Sequence, residues 1–75
     1  MEELKEYHNI IQEIWKLFKA SMTEVAGITD PQDLRWIKIC DAFDQIEKNV
    51  PKNVKRYAGL MVLLHVDELE RRWRH

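Results

Sequence analysis

Residues Val54–Trp73 read VKRYAGLMVLLHVDELERRW, a stretch with no proline in which Tyr57–Leu64 is apolar throughout and the charged run from Asp67 follows. That pattern predicts one helix, enclosed on nearly all sides in its first half and solvated in its second. At about 100° per residue, Val54, Tyr57, Ala58, Met61 and Leu64 form one stripe and Val62, Val66, Leu69 and Trp73 a second. Gly59 falls between the stripes, where it marks a close approach of a neighbouring helix at a propensity cost of about 1 kcal/mol. Leu60 and Leu63 belong to neither stripe. Acid-before-base spacings at Asp67/Arg71, Glu68/Arg72 and Glu70/Arg74 each add a few tenths of a kcal/mol, and the last bases suit the negative end of the helix dipole.

Two further helices are expected upstream. Leu4, Tyr7, Ile11, Ile14, Phe18, Met22 and Val25 recur in steps of three and four, with Trp15 on one shoulder and Ile10 and Leu17 on the other. A stripe so wide suits a helix over residues 2–26 that touches two neighbours. Gly27 is expected to end it with a positive φ. Thr29-Asp30-Pro31-Gln32-Asp33 is the strongest boundary signal in the chain: Asp30 can accept from free N–H groups, Pro31 gives up a donor that has no partner in the first turn, and Asp33 suits the positive dipole end. The second helix spans about 31–49, with Trp36, Ile39, Phe43, Ile46 and Val50 facing inward and Leu34 and Ile37 off that stripe. Val50-Pro51 breaks the chain again, because the residue before proline avoids the α region, and the third helix runs over about 53–73.

Seventy-five residues make one domain, because a chain this short buries only roughly 60–65% of its unfolded surface. Apolar residues are 45% of the total, too many for a disordered chain. Scarcely any β-branched alternation and two glycines argue against a sheet. The expected fold is therefore all-α, an up-down-up three-helix bundle, alone or as a dimer, with short connections that set sequential helices antiparallel.

Composition narrows the function classes. The single Cys40 has no partner for an internal disulfide, and the N-terminus lacks the basic and apolar pattern of an export signal, which points to the cytoplasm. Arg56 and His65 bracket the longest apolar run, well short of the ~20 residues a membrane span needs. Residues 1–37 carry four bases against seven acids, net −3, and residues 38–75 eight against six, net +2. That polarity is too mild to name nucleic acid as the partner.

Candidate chemistry is sparse. His65 would need an oriented partner and a nucleophile to act as a base, and Asp67 points to another helix face, so it is read as a partly buried histidine with a local hydrogen bond. Cys40 borders the second helix's core stripe as a small hydrophobe. Asp41, Asp44 and Glu47 drift around the helix in steps of three without a histidine companion, as a solvated acidic face does and a bundle metal site does not. No glycine-rich loop is present to hold a nucleotide, and no cofactor is implied. Lys52, Lys55 and Arg56 open the third helix and Arg71, Arg72 and Arg74 close it about 25 Å away. Two clusters so placed make a nucleic-acid module the rival reading and not the first one.

The residues left unassigned are Leu34 and Ile37 on the second helix and Leu60 and Leu63 on the third. Either tilted packing or loops cover them, or the two pairs meet in one patch, and such patches on small proteins mark a partner surface. Trp15, Trp36 and Trp73 add to that expectation, since tryptophan is enriched among interface anchors.

The ending Leu63-Leu64-His65-Val66-Asp67-Glu68-Leu69-Glu70-Arg71-Arg72, preceded by an acidic helix carrying Trp36, resembles a type of small protein found in Firmicutes prophages and other mobile elements, which close in an apolar run and a DELER-like segment. The resemblance covers about the last half of the chain, and His65 and Trp73 depart from it. It implies a mobile-element origin and a non-enzymatic role, with no site residues carried across. The resulting expectation is a protein-interaction module that binds itself or another protein. Its specific form is an inhibitor that occludes a host defence enzyme.

Overall fold

A computed structural model of the chain describes residues 2–74. Three helices follow one another: α1 over Glu2–Glu24, α2 over Leu34–Lys48 and α3 over Lys55–Trp73. Short 3-10 turns, Val25–Gly27 and Lys52–Val54, lead out of α1 and into α3. Among the described residues there is no strand. All three helices pack on one another in a rod of 43 × 17 × 16 Å, the expected three-helix bundle.

Aromatic contacts fix the direction and register of the helices. Tyr7 meets Tyr57 edge-on at 4.7 Å and Phe18 meets His65 at 5.2 Å, so α1 and α3 run the same way. Trp36 packs against Trp73 at 5.4 Å, and Glu47 lies beside Gly59, so α2 runs against α3. The core between them holds Ile10, Ile14, Val25, Ile28, Trp36, Ile39, Phe43, Val54, Ala58, Val62 and Leu69. Phe43 and Leu69 are wholly enclosed, one in the middle of the bundle and one near the end where Trp36 and Trp73 meet.

The boundaries differ from the sequence reading in instructive ways. Asp30 and Pro31 form a turn and do not start the helix: the Asp30 carboxylate accepts from Gln32 N at 2.9 Å and its carbonyl from Asp33 N at 3.0 Å. Pro31 then occupies the turn position where its fixed φ is preset. The cap of α2 is Asp33, whose Oδ1 accepts from Arg35 N at 2.9 Å. Gly27 has no positive φ. The chain leaves α1 through the 3-10 turn and becomes extended at the buried Ile28. A Cβ at 27 would stand 2.9 Å from Nη1 of Arg35, whose Nη2 donates to the Gly27 carbonyl at 3.0 Å, so any larger residue there would displace the end of that side chain.

The inward face of α1 is also turned from the expected stripe. Ile10, Ile14 and Ser21 point inward, followed by Val25 in the 3-10 turn, with Ser21 providing the small side chain opposite Ile39 and Ala42. Leu4 and Ile11 stay at the surface with Trp15. The apolar arc of α1, from Leu17 round to Trp15, spans about 160° of the helix, wider than two neighbouring helices cover in so small a bundle. Its outer edge is therefore left uncovered.

Helix α3 departs in the same sense. Its first half is not enclosed on all sides, because Leu60, Leu63 and Leu64 all face outward, and its second half is anchored by Leu69. Of the three expected i,i+4 ion pairs only Glu70–Arg74 forms, at 2.9 Å. Arg71 turns to Glu68 at 4.0 Å instead, and neither Asp67 nor Arg72 has an ion-pair partner among the described residues.

Candidate functional site

The exposed leucines of α3 become a surface through α1. Phe18 sits half-buried in the seam between the two helices, with the imidazole of His65 edge-on to it and Leu64 beside it. Trp15, one turn earlier on α1, stacks on Phe18 with centroids 5.9 Å apart and planes 21° from parallel. On the far side of Leu64, Leu60, Leu63 and Asp67 share one shallow surface with it. The chain of contacts from Trp15 through Phe18 and Leu64 to Leu60 and Leu63 is thus continuous. Ile11, four residues before Trp15, extends it along α1.

This face is large for its host. Trp15 is 51% exposed, Leu60 56%, Leu63 66% and Leu64 63%, on a protein whose total surface is 5543 Å². Single exposed leucines are ordinary, but a contiguous cluster of this kind is characteristic of a contact surface. The ammonium of Lys19 lies 5.8 Å from the Trp15 ring centroid and borders the face on the α1 side. Arg56 and Asp67, both exposed on α3, border it at either end.

Leu34 and Ile37 are exposed as well, but they do not join Leu60 and Leu63 in one patch. With Trp36 opposite Trp73, they lie toward the C-terminal end of α3, whereas the groove beside Leu63 is lined on α2 by Cys40, Asp41 and Asp44. Ile37 is seven residues, about 10 Å of helix, from Asp44. Acidic side chains at 41 and 44 intervene. Leu64 and Ile11, which the helical stripes place inward, are exposed and with Trp15 are the uncovered partners of Leu60 and Leu63.

The groups considered for chemistry are engaged locally. Nδ1 of His65 donates to the Met61 carbonyl at 2.8 Å, one turn back in its own helix, and its ring packs on Phe18. Burial pushes the Cys40 thiol above its usual 9.0, and the carboxylates of Glu70, Asp41 and Asp44 push it further the same way. That holds it as the un-ionised thiol near neutrality, the form that is not nucleophilic. Asp41, Asp44 and Glu47 stand along the α2 wall of the groove floored by Gly59, Val62 and Val66. Among the described residues no group of three or more metal-ligating side chains converges, and no helix is long and apolar enough to cross a membrane.

The basic residues remain two separate clusters. Lys52 lies in the 3-10 turn, and Lys55 and Arg56 are in the first turn of α3. At the other end Arg74 is held by Glu70 and stacked 5.1 Å from the Trp73 ring, and Arg71 is drawn to Glu68. Carboxylates interleaved in this way weaken the field a phosphate backbone needs.

Against family models, curated proteins and solved structures alike, the chain has no significant match.

Proposed function

We propose that this protein is a non-enzymatic interaction module that works through the apolar face formed by Ile11, Trp15, Leu60, Leu63 and Leu64. The observation that carries this reading is the contiguity of Trp15, Phe18 and Leu64 across the α1/α3 seam, with Leu60 and Leu63 beyond. A face of this kind gains by covering apolar area at roughly 25 cal/mol per Å², and a tryptophan backed by a stacked phenylalanine is a rigid anchor for it. Binding that covers a target surface needs no nucleophile or cofactor. Occlusion of a host defence enzyme by a protein of mobile-element origin is the specific form of this reading.

The test is affinity capture from the native host with two baits, the wild-type chain and the Trp15→Ser/Leu64→Ser variant, each first shown to be helical by circular dichroism. The reading expects a discrete protein, another chain or a second copy, held by the first bait and lost from the second. Equal recovery on both baits contradicts it. A nucleic-acid module would behave differently, with binding that falls steeply with salt and disappears when Arg71, Arg72 and Arg74 are replaced.

A further inference from the structure

We infer that the occupant of the α1/α3 face is a second copy of this chain, turned end for end, so that α3 packs antiparallel on the partner's α3. The inference rests on the interaction reading above and assigns its partner.

Area is the first argument. Ile11, Trp15, Leu60, Leu63 and Leu64, exposed at 41–66%, present on the order of 600 Å². That is at the upper end of the roughly 300–600 Å² found for the largest patch on a monomer. It approaches the about 800 Å² per partner buried in a stable pair, and the flanking aliphatic stems of Lys19 and Arg56 add to it.

Charge and spacing supply the second argument. Between Arg56 and Asp67 the exposed residues of α3 are Arg56, Leu60, Leu63, Leu64 and Asp67, a run nearly palindromic about the point between Met61 and Val62 and opposite in charge at its two ends. A two-fold axis across the helix at that level sets Leu60 against the partner's Leu63 and Leu64. The same axis brings Arg56 to the partner's Asp67, twice over, as an isologous contact requires. Among the described residues neither Arg56 nor Asp67 is in an ion pair. A parallel arrangement would instead oppose Asp67 to Asp67 and Arg56 to Arg56. On α1 the register set by Tyr7–Tyr57 and Phe18–His65 puts Ile11 level with Leu60 and Trp15 level with Leu63 and Leu64. The same rotation therefore seats Trp15 on the partner's Ile11.

Sedimentation equilibrium of the full chain, from low to several hundred micromolar, tests this. The expected mass at the upper end is twice 9.1 kDa. Leu60→Asp/Leu64→Asp should sediment as a helical monomer. Arg56→Asp and Asp67→Arg, both fully surface changes, should each weaken the dimer at least tenfold, and an equimolar mixture of the two should associate as the wild type does. A wild type that stays monomeric over the whole range overturns the inference, and so does a mixture that fails to recover. If the chain is monomeric yet Trp15→Ser/Leu64→Ser still abolishes capture of another protein, self-association falls and the interaction reading stands. If capture is also unchanged, both fall.

Discussion

The guanidinium of Arg35 grips both oxygens of the Asp33 carboxylate, Nε to Oδ1 at 3.1 Å and Nη2 to Oδ2 at 2.8 Å, while Nη2 also donates to the Gly27 carbonyl at 3.0 Å. One side chain thereby ties the cap of α2 to the end of the turn that leaves α1. The hydrogen bond from the Arg35 side chain, reinforced by the one from its backbone N–H, holds the Asp33 carboxyl below its usual 3.8.

A carboxylate whose folded-state pKa is depressed adds stability that is fully present above its unfolded value and lost as pH falls through the folded one. Asn caps a helix about as well as Asp, so Asp33→Asn removes the charge and keeps the cap. Urea melts of the two proteins should differ at neutral pH, with the wild type the more stable, and the difference should close as pH drops below 3.8. A difference that persists in acid would show that the ion pair is not its source.

Phe43 is wholly enclosed between three helices, where a cavity cannot readily collapse. Phe43→Ala should cost about 3–5 kcal/mol, a large share of the stability of so small a domain, and leave the chain near its melting point at room temperature. A melting temperature within a degree or two of wild type would place this side chain elsewhere.

Gly59 lies in the interior of α3, and a Cβ there would come 3.1 Å from Oε2 of Glu47, the far end of a flexible side chain. Moving that carboxylate a few tenths of an ångström is cheaper than the about 1 kcal/mol by which alanine exceeds glycine in helix propensity. Gly59→Ala should therefore raise the melting temperature by a few degrees. A fall would mean that Glu47 is held where it is.

The indole Nε1 of Trp73 is buried and has no hydrogen-bond partner among the described residues. An unsatisfied donor of this kind costs about 1–3 kcal/mol, so Trp73→Phe trades lost packing on Trp36 for relief of that cost. Thermal melts should place the variant within about 1 kcal/mol of wild type, against the about 3–5 kcal/mol expected for Trp73→Ala. Equal losses in both would show that Nε1 is satisfied in solution.

The helix count and the breaks were legible because Pro31, Pro51 and the three-and-four spacings act locally. The caps were less so. Asp30 and Asp33 have the same local chemistry, and the one that caps α2 is the one held by Arg35, whose guanidinium also reaches back to Gly27, a contact between residues eight apart. Which apolar residues face outward was only partly readable. Leu60 and Leu63 stood out because they fit no stripe, but Ile11 and Leu64 fit stripes well and are nonetheless exposed: α1 turns Ile10 inward and Ile11 outward, and α3 buries Ala58, Val62 and Leu69 while Leu64 stays at the surface. Periodicity reports the width of an apolar arc and not how much of it neighbours cover. The stacking of Trp15 on Phe18, which joins the two halves of the face, has no signature in the sequence beyond a spacing of three.

The most direct test of the account is the concentration dependence of the NMR signals of the Ile11 and leucine methyls and the Trp15 indole. Ile11, Trp15, Leu60, Leu63 and Leu64 should shift together on one binding curve, while Leu34, more exposed than any of them but outside the face, stays fixed. Signals that do not move at any concentration would contradict self-association through this face, and signals that move at Leu34 and Ile37 instead would contradict the face itself.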